Sequence, residues 1–359
     1  MGSFGILRRA SQSQRSNTKQ LPSLFFSLLF SRSISQLSSQ SQWPSFGIAF
    51  DIDGVVLRED TPIGGSPQAL RRLYDDSGYL KIPYVFLTNG GGFRESKRAF
   101  QLSELLGVNI LSSQVLQGHS PFKQLVDRYE NEFIVAVGKG EPAAVMFEYG
   151  FKNVLSIDEY ASFFEDIDPL AKYKKWTSKL AANQSSTFNK ITQTKSLYSQ
   201  RVQAAFVVSD SVDWSRDIQV LCDILRTGGL PGREIGNQPP LYFAHDDLKY
   251  QLHVDHAIDE SHFKTVYMVG DNPTVDIKGA RQAGHPWFSI LTRTGVFKGK
   301  ENDADFPADL VVDTVEEVVD YILRKERISR QTRIQVAQEA AWKWCAVAES
   351  HLDMVQVTS

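Results

Sequence analysis

Three short apolar runs of this chain each end in acidic, hydroxyl or amide side chains, and this repetition restricts the possible folds more than any other feature. The residues after the runs are Asp51 and Asp53, then Thr88, Asn89 and Gly90, and finally Asp271 and Asp276. Helical patterns separate the runs, and such alternation predicts an α/β fold with a parallel sheet covered by helices on both faces. Because ligands bind at the carboxyl ends of strands in these sheets, we expect the three motifs to converge.

The first motif, Asp51-Ile52-Asp53-Gly54, places two carboxylates where a strand runs into a turn. Side chains alternate along a strand, but a turn that begins at Asp53 can bring its carboxylate back beside Asp51. One acid can then act as a nucleophile and the other as a proton donor. The same four residues also fit an ordinary solvated turn, so this interpretation depends on the other two motifs.

The second motif has the composition of an anion cradle. Its glycines allow backbone N–H groups to turn toward a phosphate, while Thr88 and Asn89 offer a hydroxyl and an amide. We therefore predict that Thr88, Asn89 and Gly90 bind a phosphate group.

The third motif adds oxygen ligands for a hard cation. Mg²⁺ prefers a few carboxylates together with water and phosphate oxygens. Asp51, Asp271 and Asp276 are therefore predicted to hold Mg²⁺ against a phosphoryl group.

In this order the three motifs resemble those of the haloacid dehalogenase superfamily of aspartate-nucleophile phosphohydrolases. The triple glycine after Asn89 and the Gly270-Asp271-Asn272 start of the third motif are similar to its class IIA subgroup, which has a large inserted cap. The segments Glu95–Arg98, Gln117–Phe122 and Asp213–Gln219 resemble a mitochondrial group of the superfamily. The resemblance implies a Rossmann-like parallel sheet core with an inserted α/β cap domain, over roughly residues 46 to 323.

The resemblance also implies a role for each motif residue. Asp51 would attack phosphorus to form an aspartyl phosphate, Asp53 would protonate the leaving group and then activate water, and Thr88 would bind the phosphate. Mg²⁺ would be held by Asp51, the backbone carbonyl of Asp53 and Asp271, with Asp276 as a supporting or direct ligand. The expected substrate is a small phosphorylated metabolite.

One motif of the superfamily is missing. Its members carry a lysine, usually in a Gly-Lys-Pro segment after the cap, that offsets the repulsion between nucleophile and phosphoryl oxygens. No Gly-Lys-Pro occurs in this chain. Lys249 has a plausible spacing before Asp271 and is the candidate substitute, whereas Lys264 is too close to the final strand and Lys139 lies inside the predicted cap. The chain is hypothesised to lack a core segment, and a binding protein without turnover is the alternative function.

The order of predicted elements divides the chain into four parts. Residues 46–112 and 241–323 are predicted to form the core, residues 113–240 the cap, residues 1–45 a transit peptide and residues 324–359 a helical tail. Within the cap, residues 170–201 are rich in polar side chains and are expected to form a surface insertion. After a predicted cap strand, a strand-to-helix loop carries Asp210, Asp213, Trp214 and Asp217, which can face substrate. Alternatively, Asp213 caps the helix and Trp214 packs against it.

Composition excludes some classes of protein. The 359 residues are 42% hydrophobic and 23% charged, as is usual for a globular enzyme. The net charge is −3, and because residues 1–45 carry five basic and no acidic side chains, the remainder carries −8, which argues against nucleic-acid binding. The two cysteines imply no disulfide framework. Oligomeric state is not predicted.

The basic, serine-rich segment before Asp51 is typical of an organellar leader, and a mitochondrial address is expected, with a plastid or secretory address as alternatives. Its apolar run, Leu21–Phe30, is about half the length needed to cross a bilayer, so no membrane span is expected.

Overall fold

The core of the protein is a six-stranded parallel sheet. A computed structural model describes residues 44–163, 200–230, 235–244 and 263–327. The strands of this sheet are β1 (Phe46–Phe50), β4 (Tyr84–Thr88), β5 (Val115–Gln117), β10 (Thr265–Gly270), β11 (Trp287–Thr292) and β12 (Leu310–Val312). Their order in the sheet is β12-β11-β10-β1-β4-β5. From β1 the chain moves outward to one edge, and from β10 to the other.

The sheet is buried on both faces, which explains why its strands are nearly continuous apolar runs. Side chains alternate along β1, so Ile48 and Phe50 enter the cluster on one face, whereas Ala49 enters the cluster on the other. A helix at residues 315–327 covers the first face. It contributes Val315, Val318, Val319 and Ile322, whose spacing forms one apolar stripe.

Short helices and a hairpin connect the strands. The helices of the described residues are α1 (Ser66–Arg71), α2 (Glu95–Leu106), α3 (Val126–Tyr129), α4 (Pro142–Tyr149), α5 (Ile157–Ser162), α6 (Trp214–Arg226), α7 (Lys278–Ala283) and α8 (residues 315–327). There are also 3-10 turns at Ser112–Gln114 and Ser120–Leu125 and a π-helical turn at Pro273–Ile277. A small antiparallel hairpin, β2 (Leu57–Arg58) with β3 (Thr61–Pro62), follows directly after Asp53.

A second parallel sheet lies between the two halves of the core in sequence. Its order is β7-β6-β8-β9, with β6 (Phe133–Val137), β7 (Asn153–Ser156), β8 (Ala204–Val207) and β9 (Leu241–Phe243). Two apolar clusters cover its faces, one with α5 and α6 and one with α4. The predicted fold class, an α/β protein with parallel sheets, is confirmed.

The second sheet begins and ends later in the chain than the boundaries predicted for the cap. Val115–Gln117 pairs with β4 in the core sheet, although the cap was predicted to begin at residue 113. Leu241–Phe243 pairs with β8 in the second sheet, although the core was predicted to resume at residue 241. Both strands are only three residues long, so their own sequences do not specify which sheet they join.

Several predictions concern residues outside those described. They are the transit peptide, most of the polar insertion at residues 170–201, Lys249, and the helical tail beyond residue 327. Within the described ranges, no helix combines the length and apolar character of a membrane span.

Candidate active site

The three sequence motifs meet at the centre of the core sheet. Strand β1 lies between β10 and β4, and Phe50 is aligned with Val269 on one side and Phe86 on the other. The strand order reverses its direction of growth between β1 and β10, and such a switch point opens a crevice beyond the carboxyl ends of the strands. The residues after β1, β4 and β10 line this crevice.

Three carboxylates form a compact cluster at the crevice. One oxygen each of Asp51, Asp271 and Asp276 lies within 4.8 Å of the others. Asp276 is oriented by two backbone donors, because its Oδ2 accepts hydrogen bonds from the N–H groups of Asp271 (3.0 Å) and Asn272 (2.9 Å). The π-helical turn that follows Asn272 brings Asp276 back toward the end of β10.

Burial and mutual repulsion raise the pKa values of the cluster. The pKa of Asp51 is well above its usual value because of burial and the nearby carboxylates of Asp276 and Asp271. Burial raises the pKa of Asp276 to about 7, against the hydrogen bond from Asn272. Burial also raises the pKa of Asp271, although the Val296 N–H donates to that carboxylate. A divalent cation would relieve this repulsion, so the donor set fits the hard cation expected from the sequence.

Close backbone approach on one side fixes Asp271. Its Oδ2 accepts a hydrogen bond from the Val296 N–H, and a Cβ at Gly295 would overlap the same carboxylate. A Cβ at Gly54 would lie 2.6 Å from Asp271 Oδ2, and Gly54 has a φ of +89°, which favours glycine. The sequence therefore places glycines where the two loops press against this acid.

The loop after β4 forms the opposite wall. Thr88 is 8% exposed, and its Oγ1 accepts a hydrogen bond from the Gly90 N–H at 3.0 Å. This bond folds the loop back so that Asn89 and Gly90 line the cavity with Asp53. The cavity has a volume of about 340 Å³, which is enough for a small phosphorylated molecule.

The structure brings together all but one of the residues predicted for the site. Those that line the cavity are Asp51, Asp53, Thr88, Asn89, Gly90, Asp271 and Asp276. Lys249 lies outside the described residues. Lys264 lies at the start of β10 and does not line the cavity, as the sequence indicated.

One part of the cavity wall comes from the second sheet and was not predicted from sequence. Lys139, Ser209 and Asp210 line the same cavity, although the place of Lys139 in the predicted cap had made it a poor candidate for the site. Lys139 follows β6 and Asp210 follows β8, so both lie at strand ends like the core motifs. Ligands bind at the carboxyl ends of the strands in parallel sheets. This rule, applied to the second sheet as well, would have indicated Lys139 and Asp210.

In the loop after β8, some of the predicted residues cap or pack a helix and one faces the cavity. Asp213 caps helix α6, because its side chain accepts a hydrogen bond from the Arg216 N–H at 3.3 Å. Trp214 packs against the apolar cluster of the second sheet. Asp210 faces the cavity, whereas Asp217 is buried in an ion pair with Arg216.

Two family models and two fungal proteins match this sequence. A family model described as haloacid dehalogenase-like hydrolase matches residues 48–152, and a second, HAD-hydrolase-like model matches residues 242–318. A mitochondrial hydrolase of Saccharomyces cerevisiae is 28% identical over 80% of this chain and 97% of its own length. A cardiolipin synthase and mitochondrial hydrolase fusion protein of Schizosaccharomyces pombe is 27% identical over 82% of this chain and 56% of the fusion protein.

Two solved structures with a similar arrangement have TM-scores below 0.5. The 4-nitrophenylphosphatase of Thermotoga maritima has a TM-score of 0.49 at 18% identity, over 77% of this chain and 97% of that one. NagD of Escherichia coli has a TM-score of 0.47 at 17% identity, over 77% of this chain and 98% of that one.

The two family models together match just over half of the 359 residues and include all three motifs. The chain therefore belongs to the haloacid dehalogenase-like hydrolases.

Proposed function

We propose that this protein is a Mg²⁺-dependent phosphohydrolase that acts on a small phosphorylated metabolite through an aspartyl-phosphate intermediate. The single observation that supports this most strongly is the shared cavity. A cluster of three carboxylates faces a hydroxyl and a glycine-rich backbone loop, and these are the groups that a metal ion and a phosphoryl group require.

Asp51, Asp271 and Asp276 would hold the Mg²⁺, which would neutralise charge on the phosphoryl oxygens and on the carboxylates. A carboxylate oxygen of Asp51 would attack phosphorus while the bond to the leaving oxygen breaks. Asp53 would give its proton to that oxygen, so that the alcohol leaves neutral.

The second half of the reaction would use the same two acids. Asp53, now ionised, would take a proton from water as the water oxygen attacks phosphorus. The bond between phosphorus and Asp51 would break, which releases inorganic phosphate and restores both side chains. The Thr88 hydroxyl and the backbone N–H groups of its loop would bind the phosphoryl oxygens throughout.

A mitochondrial location is part of this proposal. It is supported by the basic, serine-rich residues 1–45 and by the printed names of the two fungal relatives. Import of a fluorescent fusion to residues 1–45 into mitochondria would test it, with plastid and secretory locations as the contradicting results.

The nucleophile assignment is tested by Asp51→Asn. Phosphate release from 4-nitrophenyl phosphate should fall by about a thousandfold or more, because an amide cannot attack phosphorus. The melting temperature should not fall, since the substitution removes a charge that burial disfavours. Asp60→Asn, the same change at an exposed acid outside the cavity, should leave the rate unchanged. Retained turnover in Asp51→Asn would reject the assignment.

The alternative is a protein that binds phosphate without turning it over. The absence of a Gly-Lys-Pro motif favours it, since an uncompensated cluster of carboxylates repels the attacking state. Tight binding of beryllofluoride together with no release of phosphate from any of several phosphate esters would favour this alternative.

A further inference from the structure

The loop after β6 lies directly on the glycine loop that follows β4. The Glu141 N–H donates a hydrogen bond to the Gly92 carbonyl at 2.6 Å. A Cβ at Gly140 would overlap the Gly92 carbonyl oxygen, and a Cβ at Gly92 would overlap the carbonyl of Lys139. Backbone therefore packs on backbone here, and Lys139 is held next to the predicted phosphate cradle.

Two further hydrogen bonds fix the main chain of Lys139. Its N–H donates to the Asp210 carbonyl at 2.7 Å, and its own carbonyl accepts from Ser209 Oγ at 3.0 Å. These hydrogen bonds join the loops after β6 and β8 at the rim of the cavity. The backbone of Lys139 is therefore held in place, while its side chain is 57% exposed.

Charge in the cavity is strongly unbalanced. Its described wall carries five carboxylates, those of Asp51, Asp53, Asp210, Asp271 and Asp276, and a single cationic side chain, Lys139. The Lys139 ammonium lies 3.9 Å from Asp210 Oδ2, which is beyond hydrogen-bond distance. A weak contact of this kind between exposed groups contributes little, so the ammonium is available to a stronger anion.

We propose that Lys139 binds the phosphoryl oxygens of the substrate from the side of the second sheet. It thereby supplies the positive charge that the described part of the core does not. The inference rests on the proposed function, because it needs a phosphoryl group above Asp51. A doubly charged phosphoryl group next to five carboxylates is repelled even when one divalent cation is bound, and an ammonium ion at the rim offsets that repulsion.

The test is the affinity for inorganic phosphate, measured by isothermal titration calorimetry in the presence of Mg²⁺. Lys139→Gln keeps most of the length of the side chain and removes its charge. We expect phosphate affinity to fall about tenfold or more, the usual effect of losing a charge-assisted hydrogen bond. Lys152→Gln is the matched control: Lys152 pairs with Glu130, has a similar exposure and lies outside the cavity wall. Its phosphate affinity should equal that of the wild type.

Kinetics separate a phosphoryl ligand from a leaving-group ligand. If Lys139 binds phosphoryl oxygens, Lys139→Gln lowers kcat/KM for phenyl phosphate and 4-nitrophenyl phosphate by the same factor. A loss that differs between the two esters, with unchanged phosphate affinity, would overturn the inference. Equal phosphate binding by wild type and Lys139→Gln would overturn it while leaving the proposed function intact. A wild type that neither binds nor releases phosphate would instead reject the proposed function itself.

Discussion

Gly295 illustrates how a residue without a side chain shapes the site. Its φ lies outside the positive range, so alanine fits the backbone, yet a Cβ at this position would overlap the Asp271 carboxylate. The next residue, Val296, donates its N–H to the same carboxylate. Gly295 therefore lets the loop approach Asp271 closely enough to orient it toward Asp51 and Asp276.

Gly295→Ala should weaken Mg²⁺ binding without unfolding the protein. The added methyl group pushes the Asp271 carboxylate away from the cluster, and such changes around a metal ligand typically cost about ten- to a hundredfold in affinity. Titration calorimetry with Mg²⁺ measures the effect, and circular dichroism checks the fold. Asp271→Asn sets the scale, because it removes the charge of the ligand entirely. An affinity of Asp271→Asn equal to that of the wild type would show that Asp271 does not contact the metal. An unchanged affinity in Gly295→Ala alone would show that the methyl group does not displace this carboxylate.

At the scale of elements, a buried carboxylate joins the core to the second sheet. Glu95 begins helix α2 and is 2% exposed. It accepts hydrogen bonds from Ser120 Oγ, Lys123 Nζ and, at 3.0 Å, Tyr149 Oη. Ser120 and Lys123 belong to the linker after β5, and Tyr149 ends helix α4 of the second unit. One side chain thus ties together three segments that hold the two loops of the site.

Glu95→Gln should lower the stability of the whole protein. The amide keeps an acceptor for Tyr149, but it leaves the Lys123 ammonium without its anion and presents a donor to it. Loss of a buried, charge-assisted partner costs about 1–3 kcal/mol of unfolding free energy. Urea denaturation measures the change. Glu104→Gln, at an exposed position of the same helix, should change stability by less than about 0.5 kcal/mol. Equal stability of the two variants would contradict the role of Glu95.

Local sequence predicted most elements but not all of their ends. Their apolar patterns predict a helix over Glu95–Leu106 and a strand over Phe133–Val137, and helix α2 and strand β6 have these bounds. The same patterns predict a helix near Ile218 to Leu225 and another from Gln68 to about Asp75. The first of these, α6, begins four residues earlier at Trp214, since Asp213 caps it there. The second, α1, ends at Arg71, because the chain turns so that Tyr74 pairs with Leu80. These differences depend on caps and turns, which periodicity does not reveal.

At the scale of the whole molecule, the core half of the site followed from sequence and the other half did not. Parallel strands bring their carboxyl ends to one edge, so Asp51, Thr88 and Asp271 were predicted to converge from local patterns alone. The position of Lys139 depends on how the second sheet lies against the first. That placement is fixed by contacts between residues far apart in sequence, such as Glu141 with Gly92, which no local pattern encodes.

The metal-free protein should become less stable as pH rises toward neutrality. Burial, together with mutual repulsion at Asp51, raises the pKa values of Asp51, Asp271 and Asp276, in the last case from 3.8 to about 7. Between these two values the folded protein binds more protons than the unfolded chain. The contribution of these three groups to the free energy of unfolding therefore falls as pH rises through this window.

Mg²⁺ should reverse this trend, because it binds the ionised carboxylates and competes with protons. At one Mg²⁺ concentration, we expect the melting temperature to rise by about 3 °C or more at about pH 7.5 and by much less at about pH 5. Differential scanning calorimetry with and without Mg²⁺ measures both shifts. The amide of Asp276→Asn keeps an acceptor for the N–H groups of Asp271 and Asn272 but cannot ionise. This variant should therefore be more stable than the wild type at about pH 7.5 without metal. Its melting temperature should also rise less when Mg²⁺ is added. Equal shifts at the two pH values would mean that the three acids do not form the metal site.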